Sequence, residues 1–243
     1  MRLLPISVLF LTITVCHAQE TERKVKRSKN GDKEEFYVLK SDNDVMHGSY
    51  EKKGNNSSVS GTYKNGLKDG VWTEFSKGSR LRSRGKYLNN EQVGLWKFYN
   101  WEGELEQEYD FSTRQLLSDF LLASMKERKF RVIKGSDTIV TFLERPPIYL
   151  TGKTRMQSAL TKGSQIGLIL MLTKASGKVI VGFTIDTAGM PRDYRIISGV
   201  HQACDAEGLR MVKQLPPNWL PALLDGKPVE VEHSITIAFK GSY

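Results

Sequence analysis

Residues 178–239 read KVIVGFTIDTAGMPRDYRIISGVHQACDAEGLRMVKQLPPNWLPALLDGKPVEVEHSITIAF, and their pattern decides the fold of the C-terminal part. Val179, Val181, Phe183 and Ile185 alternate with Ile180, Gly182 and Thr184, the period of a strand with one heavily buried face. Ala188-Gly189 turns the chain, and Tyr194-Arg195-Ile196-Ile197 predicts a return strand. Asp205 is placed to cap a helix carrying Ala206, Leu209, Val212 and Leu215, which Pro216-Pro217 ends. Trp219 and Pro221 are expected to pack back over the sheet. Asp225-Gly226-Lys227-Pro228 is a turn, and Val229, Val231, His233, Ile235, Ile237 and Phe239 form the alternate residues of a last strand. Just upstream, the apolar run Ile166–Leu172 predicts a buried strand or a short helix.

Outward from this stretch the chain is organised in segments. Arg2, the apolar run Leu3–Val15 and the small residue Ala18 predict a secretory signal peptide over residues 1–18, cleaved after Ala18. The run is shorter than the roughly 20 residues that span a bilayer, so a retained anchor is disfavoured. Residues 19–35 carry one aliphatic residue, Val25, among many charges, and predict a flexible charged leader. Loss of residues 1–18 would leave Cys204 as the only cysteine, which excludes an intramolecular disulfide.

Residues 36–110 repeat themselves. Gly61, Tyr63, Gly70 and Trp72 recur 24 positions later as Gly85, Tyr87, Gly94 and Trp96, with a weaker copy at Gly48-Ser49-Tyr50. A short fixed period means stacked small units. The turn dipeptides Asn65-Gly66 and Asp69-Gly70, between alternating aromatics, make each unit a β-hairpin. In residues 111–145, Ser112 and Gln115 have capping-box spacing before Leu116, Leu117, Phe120, Leu121 and Met125, which predicts a helix of about four turns. Phe130–Ile133 and Thr138–Phe142 flank Lys134-Gly135-Ser136-Asp137 as a hairpin, expected to connect the repeats to the C-terminal domain, residues 146–243.

The pattern G-x-Y-x-x-G-x-x-x-G-x-W-x-x-F/Y over about residues 44–108 resembles the bacterial MORN repeat, which implies a scaffold. Residues 164–240 closely resemble the C-terminal domain of TonB-family energy transducers. Gly177-Lys178-Val179, Ile197-Ser198-Gly199, Glu207-Gly208-Leu209-Arg210, Trp219-Leu220-Pro221-Ala222 and Gly226-Lys227-Pro228-Val229 carry that resemblance. The two together imply an α+β chain, a MORN-like hairpin array followed by a small antiparallel sheet with packed helices. In the TonB family the last strand takes up the TonB-box peptide of outer-membrane transporters. Here that implies partner-binding residues Val229, Val231, His233, Ile235, Ile237 and Phe239. No proline-rich spacer precedes the domain, so a binding role is expected in place of energy transduction.

Composition narrows the partners. The formal charge of +9 favours acidic ones, a cell-wall polymer or anionic lipid included. Without a basic stripe interleaved with aromatics, nucleic acid is not expected. Gly152-Lys153-Thr154 lacks the glycine of a P-loop, because Pro147 stands five residues before it. His201 and Cys204 have metal-compatible spacing but no second pair, so no metal and no cofactor are expected. No catalytic constellation is apparent, and the expectation is a non-enzymatic protein, periplasmic or secreted, that binds an extended segment of an envelope or outer-membrane protein. The rival expectation is a scaffold whose repeats dock on cell wall or anionic lipid.

Overall fold

The structure is a computed structural model and describes residues 19–240. The signal peptide expected over residues 1–18 lies outside the described residues.

Nine strands follow one another in the first half. They are β1 (Thr21–Arg27), β2 (Lys33–Leu39), β3 (Asp42–Lys53), β4 (Ser57–Lys64), β5 (Leu67–Ser76), β6 (Arg80–Leu88), β7 (Glu91–Tyr99), β8 (Leu105–Asp110) and β9 (Gln115–Asp119). Each pairs antiparallel with its chain neighbours, so sheet order equals chain order. The repeat has a physical basis. A Cβ on Gly61 would overlap the Trp72 indole, and one on Gly85 would overlap Trp96. Glycine thus lets an indole lie flat on the neighbouring strand's backbone. Each indole N–H then donates to a carbonyl, Trp72 to Thr62 and Trp96 to Lys86, both at 3.1 Å. Tyr50, Tyr63, Trp72, Tyr87 and Trp96 continue edge to face down the array, with centroids 5.0–5.9 Å apart.

Two expectations about the flanks of this sheet are corrected. Residues 19–35 are not a flexible leader: β1 pairs along its whole length with β2. Its charges suit an edge strand, which needs polar side chains to resist further pairing. Arg23 reaches Glu35 at 2.7 Å, and Arg23 and Lys33 together bring the Glu35 carboxyl down to about 2. Residues 112–129 are not a four-turn helix. Asp110 Oδ1 accepts from the backbone N–H of Ser112 (2.8 Å) and Thr113 (3.0 Å), and Arg114 adopts a positive φ, which makes a tight turn into β9. Ser112 Oγ accepts from Gly94 N–H at 2.9 Å in place of capping a helix. Helix is confined to the short α1 (Leu122–Lys126).

The second half contains β10 (Lys129–Lys134), β11 (Asp137–Phe142), β12 (Ile148–Tyr149), α2 (Lys153–Thr161), α3 (Ile166–Thr173), β13 (Gly177–Ile185), β14 (Pro191–Ser198), α4 (Gln202–Lys213), β15 (Trp219–Leu220), β16 (Ala222–Leu224) and β17 (Lys227–Phe239). The sheet order is β11-β10-β17-β13-β14, with β16 also on β17. The α4 helix packs on β13 through Gly208, where a Cβ would press on Val179. Its core joins Val179, Val181, Phe183, Ile185, Met211, Val212, Trp219, Ile237 and Phe239. Ile166–Thr173 is a helix that leaves Leu168, Met171 and Leu172 exposed, so the buried-strand alternative fails. The cap of α4 is His201, whose Nδ1 accepts from Ala203 N–H at 3.1 Å. Asp205 instead accepts from Val200 N–H at 2.9 Å.

The α+β class is as expected. The hairpin expected to be a connector is, however, part of the second sheet. Between the two sheets stands α2. The first turn of α2 is capped by Glu106, a buried residue of β8 whose carboxylate accepts from Thr154 N–H at 3.0 Å. Gln107 adds a donor bond to the Tyr149 carbonyl (3.1 Å) and accepts from Thr151 N–H (2.7 Å).

Candidate peptide-docking edge

The last strand has the pattern of a strand with one core face. Val231, Ile235, Ile237 and Phe239 are buried, while Ser234, Thr236 and Ala238 are exposed on the other face. Its partner β13 runs beside it from Gly177↔Phe239 to Ile185↔Val231, nine residue pairs in unbroken register. Each buried aliphatic meets its counterpart: Ile237 faces Val179, Ile235 faces Val181, and Val231 faces Ile185.

On the side of β17 away from β13, Glu230 and Val231 pair with β10, and at its start Lys227, Pro228 and Val229 pair with β16. Among the described residues, the strand from Glu232 to Phe239 pairs with β13 alone. Those eight residues have alternate N–H and C=O groups with no strand partner among the described residues, along about 27 Å of edge. The sequence pattern alone would leave all of Val229–Phe239 as the edge. The β10–β11 hairpin closes its first part, for a reason hidden from local pattern: Val132 and Val231 stand 99 positions apart in the chain.

The six expected site residues divide accordingly. Val229 is half-buried and paired with Ala222. Val231 is buried between two strands. Ile235, Ile237 and Phe239 aim their side chains into the core, so they hold the edge in place and offer a partner only their backbone. His233 is half-buried against Phe183 and Trp219, with ring centroids 5.5 and 5.1 Å away. Burial among these rings, with a small contribution from Arg128, lowers its pKa from 6.5 to about 4, so it is neutral at pH 7.

The residues that the sequence reading passed over are the exposed ones. Ser234 and Thr236 lie beside the open edge, and the period-two alternation of β17 contained that signal. Next to them is a cleft of about 260 Å³ lined by Arg128, Lys129, Arg131, Arg195 and Glu232. Glu232 bridges Arg131 at 3.0 Å and Arg195 at 3.1 Å, so four cations share one carboxylate and the cleft favours an acidic or strongly polar side chain.

No cluster of three or more potential metal ligands occurs among the described residues. Cys204 is buried, and burial together with Asp205 raises its thiol pKa, the opposite of activation. Among the described residues no helix is long and apolar enough to cross a membrane.

Residues 170–240 match the family described as Gram-negative bacterial TonB protein C-terminal. That stretch, under a third of the chain, is similar to a TonB C-terminal domain. Domains of that family are non-enzymatic protein-interaction modules of the envelope. No curated protein matches the chain. Among solved structures, one titled "Crystal Structure of TarM" is similar at 10% identity over 60% of this chain and 36% of that one. Its TM-score of 0.20 carries no argument about this fold.

Proposed function

We propose that this chain is a non-enzymatic envelope protein whose TonB-like domain binds an extended segment of an envelope or outer-membrane partner by strand addition. The docking place is the open part of β17, Glu232–Phe239. The observation that carries this reading is the one-sided pairing of that segment among the described residues, on a strand whose core face buries Ile235, Ile237 and Phe239. A peptide adding there gains main-chain hydrogen bonds along a rigid template, and alternate side chains reach the cationic cleft. In this reading residues 1–18 direct export and the nine-stranded sheet is a MORN-like scaffold, consistent with its Gly–Trp recurrence. The peptide is a TonB-box-like segment with an acidic side chain.

The test is a titration of the full chain with an extended acidic peptide, followed by the same peptide N-methylated at alternate residues. Strand addition predicts saturable binding that N-methylation abolishes in one of the two registers. Equal binding of both N-methylated forms would refute it. The rival role, repeats docking on cell wall or anionic lipid, has the chain's net charge in its favour. It predicts salt-sensitive sedimentation with peptidoglycan or anionic vesicles through the first sheet.

A further inference from the structure

A second cleft, of about 470 Å³, lies where β5 and β6 of the first sheet meet α2. Its lining combines three cations, Arg82, Arg155 and Lys162, with the indole of Trp101 and the polar groups of Asn56 and Ser158. One carboxylate, Glu74, shares the space. Arg155 takes it, pairing with Glu74 through Nη2 and donating to Ser83 Oγ at 2.9 Å. That leaves Arg82 and Lys162 without a carboxylate partner among the described residues.

Arg82 is the unusual member. It is only 6% exposed, yet its Nη1 has no hydrogen-bond acceptor among the described residues, and neither has Arg155 Nε. A buried guanidinium without an acceptor is costly unless something supplies one. Trp101 supplies part of the compensation, with the Arg82 guanidinium 4.0 Å from its ring centroid. Trp101 itself remains 49% exposed, an uncommon state for a tryptophan.

We propose that this cleft binds an acidic saccharide, a sugar ring bearing a carboxylate. The guanidinium of Arg82 and the ammonium of Lys162 take the carboxylate as charge-assisted hydrogen bonds. The exposed indole of Trp101 receives the apolar face of the ring. Asn56 and Ser158 meet the ring hydroxyls. The cleft has the size of a small-molecule site, and it is built from residues 56–101 of the first half and from α2 with Lys162 just beyond it, so occupation would also brace the two parts against each other. This site is separate from the β17 edge and does not depend on the peptide reading.

The experiment is calorimetric titration of the full chain with a tetra-uronate, with a neutral oligosaccharide of the same length and with inorganic phosphate. Binding of the uronate, with the neutral sugar at least about tenfold weaker, is expected. Lys162→Glu, on an exposed side chain, should weaken the uronate about tenfold while leaving thermal unfolding in place, and Trp101→Ala should weaken it as much, with Trp101→Phe restoring binding. Absence of uronate binding, equal binding of the neutral sugar, or phosphate binding that Trp101→Ala leaves unchanged would each overturn the assignment.

Discussion

The two sheets of this chain solve the same problem in opposite ways. In the first, every strand pairs with its neighbours in the chain, and a Gly–Trp lock repeats along the array. In the second, β17 is the last strand of the described chain yet sits in the middle, between β10 and β13. The first sheet ends on charged β1, which discourages further pairing. The second keeps a stretch of unclaimed backbone inside a well-packed strand. Local pairing produces a sheet in chain order, and non-local pairing produces an edge that is partly closed and partly open.

A core substitution in the second sheet and an exposed one on the edge strand of the first separate them most strongly. Phe239 is fully buried at the end of β17, and Phe239→Ala should cost ~3–5 kcal/mol in urea unfolding followed by Trp219 emission. Val25→Ala on the edge strand β1, where the side chain is exposed, should stay within ~0.5 kcal/mol. If the two cost the same, the contrast between a packed template strand and a charged edge strand is wrong.

The next largest effect concerns the lock. Gly85→Ala should destabilise the first sheet by ~2–3 kcal/mol, since the added methyl meets the Trp96 ring. Gly94→Ala is the control: its φ of +60° is strained for alanine but its surroundings are open, so a loss of ~1 kcal/mol is expected. Equal losses would mean that backbone conformation, and not the glycine–indole contact, sets the repeat.

An effect of similar size, set by pH, belongs to His233 in the second sheet. His233 has a folded pKa near 4 against an unfolded value of 6.5. Its neutral form stabilises the fold fully above pH 6.5, and that stability is lost as pH falls from 6.5 towards 4. The loss should reach ~2–3 kcal/mol and should vanish in His233→Gln. Chemical denaturation at pH 7 and pH 4.5 measures it.

These contrasts also explain what the sequence made legible. The hairpin array could be read because its signals, Asn65-Gly66 and the Gly85–Trp96 spacing, act between adjacent strands. The β10–β11 hairpin was recognisable, but its docking on β17 depends on a contact between Val132 and Val231 that no local pattern encodes. The charged segment 19–35 looked disordered because composition does not distinguish an edge strand from a tether. Ser112 and Gln115 looked like a helix start because their spacing fits a capping box, whereas Asp110 takes the local N–H groups first. The alternating burial of β17 was legible, but not its consequence: the named residues Val231, Ile235, Ile237 and Phe239 face the core, and the even-numbered residues Ser234, Thr236 and Ala238 face outward.

The division of β17 into a closed and an open part is tested most directly by disulfide trapping. Thr236→Cys places a thiol on the open segment, and Val140→Cys places one on β11, the outer strand of the same sheet. A single-cysteine acidic peptide should cross-link rapidly and in one register to Thr236→Cys, and slowly and without register to Val140→Cys. Preferential trapping at Val140, or equal trapping at both, would contradict the account.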